Sequence, residues 1–132
     1  MANLSFRGLD ELSRKLARMG QQAGPVKEAM LNAGAETCIR VWKQTAEDHG
    51  HRDTGDMINS IKAKKYGKDG RIVYPMGKDK KGQSNAEKAF ILNYGTSGGR
   101  IKGDGWCDEA DEKCEKEAVP VMRAVFNEMM KE

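Results

Sequence analysis

The 132-residue sequence predicts an α+β fold: a small antiparallel sheet with a central hairpin, covered by a long helix from the N-terminal half and by a C-terminal helix. Three observations carry this expectation. Apolar and small residues recur at helical spacing from Val26 to Thr45, and again from Ala110 to Met129. Between them, two short β-prone runs flank Gly67-Lys68-Asp69-Gly70, whose glycines suit a tight reversal. The length fits one domain over residues 1–132. Leu, Ile, Val and Phe number only 21, so the expected core is lean and filled out by eight methionines and thirteen alanines. A net charge of only +3 argues for a folded chain.

Leu9, Leu12, Leu16 and Met19 mark a first amphipathic helix, which Gly20 to Gly24 ends. Pro25 suits a first helical turn, and the stripe Val26, Met30, Ala33, Thr37, Val41 and Thr45 carries a second helix to about Glu47. Its small residues Ala29, Ala33, Gly34 and Ala35 allow another element to approach closely. A polar loop follows at 48–53, and Asp53 or Thr54 is positioned to cap a short helix reaching Ile61. The hairpin is expected over 61–66 and 71–76, with Pro75 at the end of its second strand or at a sheet edge. Residues 77–85 contain nothing to bury and read as a mobile loop. Ala89-Phe90-Ile91-Leu92 is too short to decide between helix and strand. The segment 95–105 carries five glycines and reads as a second irregular loop, before a last helix over 108–131 that Pro120 would interrupt or kink.

No apolar run is long enough to cross a membrane, and no basic-then-apolar leader opens the chain, so a cytoplasmic origin is expected. Cys38, Cys107 and Cys114 are then expected as reduced thiols. His49 and His51 with Cys107 and Cys114 would form a zinc set by residue type. The seven-residue step between the cysteines departs from the close pairs such ions use, so no metal is expected. No nucleophile, base and orienting group fall together, which argues against an enzyme.

Charge is distributed unevenly. From Lys62 to Lys88 nine Lys and Arg face three acids, and from Asp104 to Glu117 seven acids face two lysines. Two readings follow: solvated faces, or a contact in which the basic loop of one subunit meets the acidic helix of its neighbour. A third reading, a small basic-patch nucleic-acid-binding module, rests on Lys62, Lys64, Lys65, Lys68, Lys78, Lys80 and Lys81 interleaved with Tyr66 and Tyr74.

The segment Asp53-Thr54-Gly55-Asp56-Met57-Ile58-Asn59-Ser60-Ile61 resembles the D-T-G-x-L-x-x-S-I signature of a family of bacteriophage tail components, the gene-product-ten type of lambdoid siphophages. About thirty residues on, Lys88 to Thr96 falls where that family carries Y-A-x-x-V-E-F-G-T, with Lys88 in place of tyrosine and Asn93 in place of glutamate. Gly105 to Ala110 corresponds to the family's P-F-L-x-P-A and keeps an aromatic, Trp106, and the alanine. The resemblance implies a structural virion protein of a tailed phage or prophage, a neck or tail-completion component at the head–tail junction or tail end that acts by assembly. Its implied partners are further copies of itself, in a ring of six matched to the tail tube, and other neck and tail proteins. It implies no cofactor, metal, membrane or small-molecule substrate, and DNA contact only within the assembled channel. Localisation would be the virion, and the host cytoplasm during assembly. The implied structural motif residues are Asp53, Thr54, Gly55, Ser60, Ile61, Ala89, Tyr94, Gly95, Thr96 and Trp106. The candidate assembly contacts are Lys78, Lys80 and Lys81 on one side and Asp108, Glu109, Asp111 and Glu112 on the other.

Overall fold

The computed structural model describes residues 2–6 and 9–131. In chain order the elements are β1 (Ala2–Leu4), α1 (Asp10–Met19), a 3-10 turn (Gly20–Gln22), α2 (Ala23–Asp48), α3 (Asp56–Asn59), β2 (Ile61–Lys65), β3 (Arg71–Pro75), α4 (Asn85–Tyr94) and α5 (Trp106–Met129). The three strands form one antiparallel sheet in the order β1-β3-β2. The hairpin register pairs Ile61 with Pro75 and Lys65 with Arg71, so Pro75 sits at the strand end, where a missing N–H is tolerated. On the other side of β3, Ala2 faces Val73.

α2 is the hub of the fold, packing most extensively against α5 and also touching all three strands. The reason lies in its apolar stripe, since Val26, Met30, Cys38, Val41, Trp42 and Ala46 are all buried. Gly34 permits the close approach. A β-carbon there would lie 2.7 Å from Leu4 Cδ2 and 3.0 Å from Met122 Sδ, so strand β1 and helix α5 meet over this position. Arg71, although charged, is buried in β3. Its guanidinium pairs with Glu28 of α2, donates to Asn32 Oδ1 at 3.3 Å and donates to the Gly70 carbonyl at 2.9 Å. A buried cation needs such partners, and they tie sheet to helix.

Several expectations are corrected. Cys38 and Cys114 are joined as a disulfide between α2 and α5, their Cα atoms 4.9 Å apart across a sequence separation of 76. The expectation of reduced thiols rested on compartment alone, whereas the α2–α5 packing sets two small buried side chains face to face. Only Cys107 is a free thiol, and it is buried. The 77–85 segment is organised around one side chain. Asp79 accepts from the backbone N–H groups of Lys81 (2.9 Å) and Gln83 (2.8 Å) and pairs with Lys88. Lys88 and the two N–H donors hold the Asp79 carboxyl below its usual range, against the effect of its partial burial. The undecided Ala89 segment is helical because Ser84 caps it, accepting from Glu87 N at 3.2 Å. α5 starts two residues earlier than expected and continues as one helix through Pro120. The short helix ends at Asn59 rather than reaching Ile61, which instead opens β2.

Candidate functional site

The two signature segments are brought together. Gly55, at φ 85°, occupies the N-cap of α3 in a left-handed conformation that a side chain would strain, and Thr54 Oγ1 accepts from Asp56 N at 3.3 Å. Asp53 is exposed at φ 41°, a conformation that short polar side chains tolerate. Ser60 closes the helix by donating its hydroxyl to the Met57 carbonyl at 2.6 Å, and Ile61 is buried at the start of β2.

In the second segment Ala89 is buried while Phe90, Ile91 and Tyr94 face outward, Phe90 and Tyr94 with ring centroids 4.7 Å apart. Gly95 turns the chain at φ 82°, and a β-carbon there would meet Ile101 O at 2.6 Å. Thr96 pins the loop twice, its N–H donating to Ile101 O (3.0 Å) and its Oγ1 accepting from Ile101 N (3.1 Å). These contacts order a segment whose composition alone reads as irregular.

Asp53, Thr54 and His51 share an open cleft of about 580 Å³ with Lys80 and Lys81 and with Ile91, Leu92 and Ile101. The candidate assembly lysines Lys78, Lys80 and Lys81 are exposed, and none has an ion-pair partner among the described residues. The acidic candidates are placed differently from one another. Glu112 is exposed beside Lys116, Asp108 Oδ2 accepts from Asn93 Nδ2, and Glu109 contacts both Lys113 and His49. Asp111 is half-buried, and burial raises its carboxyl above the usual range.

Beside this cleft lies a polar cluster that sequence reasoning missed. His49, just past α2, and His51 converge on Asp104 from a loop more than fifty residues away: His49 Nδ1 lies 3.1 Å and His51 Nε2 2.6 Å from the same Asp104 Oδ2. The other nitrogen of His49, Nε2, lies 3.3 Å from Glu109 Oε2. Asp104 is held by its second oxygen, which accepts from Trp106 N at 3.0 Å. Burial alone would raise the Asp104 carboxyl, but the Trp106 N–H and the two histidines outweigh it and lower it. Neither cysteine of the zinc set considered from sequence is a member, since Cys114 is tied to Cys38 and Cys107 lies against the Ala89 carbonyl.

Asn93, where the resembling family has glutamate, is buried and starts α5. Its Oδ1 accepts from Cys107 N (2.8 Å) and Asp108 N (3.3 Å), covering two N–H groups that a helix start leaves free. Asn93→Ala is expected to cost about 1–3 kcal/mol through these orphaned donors. Urea denaturation reads it as a lower midpoint, and a loss under about 0.5 kcal/mol would mean that α5 starts unaided.

The family model described as "Bacteriophage HK97-gp10, putative tail-component" matches residues 10–95. The chain belongs to this family. The match spans α1 to the end of α4 and contains the first signature segment, Asp53 to Ile61, and all of the second, Lys88 to Thr96, except Thr96 itself. No curated protein and no solved structure gives a significant match. Membership makes the protein a phage tail component, and thereby assigns it to the virion. None of its described helices is long and apolar enough to cross a membrane.

Proposed function

We infer that this tail component acts at the head–tail junction or tail end, as a neck or tail-completion protein that works by forming a ring of copies of itself, six in number, with other tail proteins bound to it. Catalysis has no part in this reading. The observation that carries it is the outer face of α4 and the adjoining loop. Phe90 is 61% and Tyr94 62% exposed, their rings in contact on α4, and Ile91 of the same helix lines, with Ile101, a cleft that also presents Lys80 and Lys81. A contiguous apolar face bordered by unpaired charge is the composition of a subunit contact. The occupant argued for is a second copy, because the same chain carries the complementary acidic start of α5, including exposed Asp108 and Glu112.

Sizing with light scattering at high concentration, and with cognate tail proteins added, is expected to show species larger than the monomer. The triple variant K78E/K80E/K81E is expected to weaken that association by about tenfold or more, or about 1.4 kcal/mol. A protein that remains monomeric under both conditions would overturn the ring, and unchanged assembly of the triple variant would remove the charge-matching contact. The exposed lysines of β2 and its turn support the nucleic-acid reading less well, because Lys64 lies over the Tyr74 ring at 5.3 Å and Lys65 pairs with Glu28 at 3.5 Å. Tight DNA binding in a filter assay that weakens steeply with salt would reverse this preference.

A further inference from the structure

We propose that His49, His51 and Asp104 form a binding site for a divalent metal ion of the zinc class, with Glu109 as the carboxylate that orients His49. One ligand atom from each of the three residues lies within 4.8 Å of the others, and the elements bearing them are separated by more than fifty residues of sequence. Two imidazoles and a carboxylate suit zinc and its neighbours, and three protein donors leave the fourth position of a tetrahedral ion to water.

The contacts of His49 carry the argument. Both of its ring nitrogens face carboxylate oxygens, Asp104 at 3.1 Å and Glu109 at 3.3 Å. A neutral imidazole has one N–H and one lone pair, so it satisfies one carboxylate and turns a lone pair on the other, and both are satisfied only when a second proton or a metal ion occupies the remaining nitrogen. A cation among His49 Nδ1, His51 Nε2 and Asp104 Oδ2 removes that conflict and leaves Nε2–H to donate to Glu109. This is the arrangement in which a carboxylate sets the tautomer of a metal-bound histidine. At metal–ligand distances of about 2.0–2.1 Å, neighbouring tetrahedral donors stand about 3.3 Å apart. The His49–Asp104 separation is already close to this, His51 must withdraw by less than 1 Å from its 2.6 Å contact, and the two imidazole nitrogens, which lie within 4.8 Å of each other, must settle at the same spacing.

The surroundings support the ion. Asp104 is pre-oriented through Trp106 N, the His51 ring stacks at a tilt on Trp106 with centroids 5.8 Å apart, and the His51 side chain is only 13% exposed. His51 also borders the open cleft, which gives a route in. The acidic stretch from Asp104 to Glu117 balances a double positive charge.

Titration calorimetry with zinc chloride on the 132-residue, tag-free, chelator-treated chain is expected to show one ion per chain. His51→Ala and Asp104→Asn should each weaken binding at least tenfold, and Glu109→Gln by about tenfold through loss of orientation. Copper(II), which binds such nitrogen and oxygen donors more tightly than zinc, should quench the fluorescence of neighbouring Trp106 with the same stoichiometry, a readout that needs no variant to fold. No saturable zinc binding to the wild-type chain would overturn the site and leave a proton-bridged histidine cluster. So would unchanged affinity in a folded His51→Ala chain, or bound copper that leaves the tryptophan emission unaltered.

Discussion

Trp106→Ala is expected to lower the unfolding free energy by about 3–5 kcal/mol, the usual cost of emptying a buried aromatic site. The side chain is fully buried at the first residue of α5, its ring edge-on to Trp42 with centroids 5.3 Å apart and an interplanar angle of 72°. The indole N–H has no hydrogen-bond partner among the described residues, so the variant loses packing and the ring–ring contact but no hydrogen bond, and removal of the buried unpaired donor offsets part of that cost. The lean core raises the stakes. Since an ordinary domain has only about 5–15 kcal/mol to lose, the variant should be close to unfolded at 37 °C. Urea denaturation followed by far-UV circular dichroism measures it. A midpoint shift worth less than about 1 kcal/mol would show that the Trp42 side of the core collapses into the space.

Opening the Cys38–Cys114 bond is expected to cost about 4 kcal/mol if chain entropy dominates, because the crosslink closes a loop of 76 residues. Thermal melts with and without a phosphine reductant should differ by roughly 10–15 °C. Thiol titration checks the premise. Aerobically purified protein, denatured without reductant, should show one reactive thiol, and three after reduction. In the native protein Cys107 should stay unreactive at pH 8, since burial raises its thiol to about 12 and little thiolate forms. Three reactive thiols in the unreduced denatured chain would remove the crosslink from the account. Cys107 also adds an alkaline limit to stability. Its folded value lies above the usual thiol value of about 8.5, so its contribution is complete below that pH and is lost as pH rises toward about 12.

Much of the fold was legible because the signals are local. The α1 stripe, the α2 stripe, the glycine-flanked turn between β2 and β3 and the stripe of α5 all appear at the positions their spacing indicates. Ser84-Asn85-Ala86-Glu87 carries the spacing of a helix start, Ser three residues before Glu, and so could have decided α4 in favour of helix. Strand β1 had no such signal, since three residues hold too little pattern to separate a strand from a coil; it exists because β3 offers an open edge and Leu4 finds Gly34. The signature segments were visible in the sequence, but their meeting around one cleft was not.

The sequence by itself determined α1, α2, α5 and the β2–β3 hairpin, and which family the chain resembles, because periodicity and turn chemistry act over a few residues. Only the tertiary structure decided that Cys38 meets Cys114, that Asn93 starts α5 and that two histidines converge on Asp104. Each of those contacts joins groups that do not share a helical face or a strand register, so it is set by how α2, α4 and α5 pack and leaves no periodic trace along the chain.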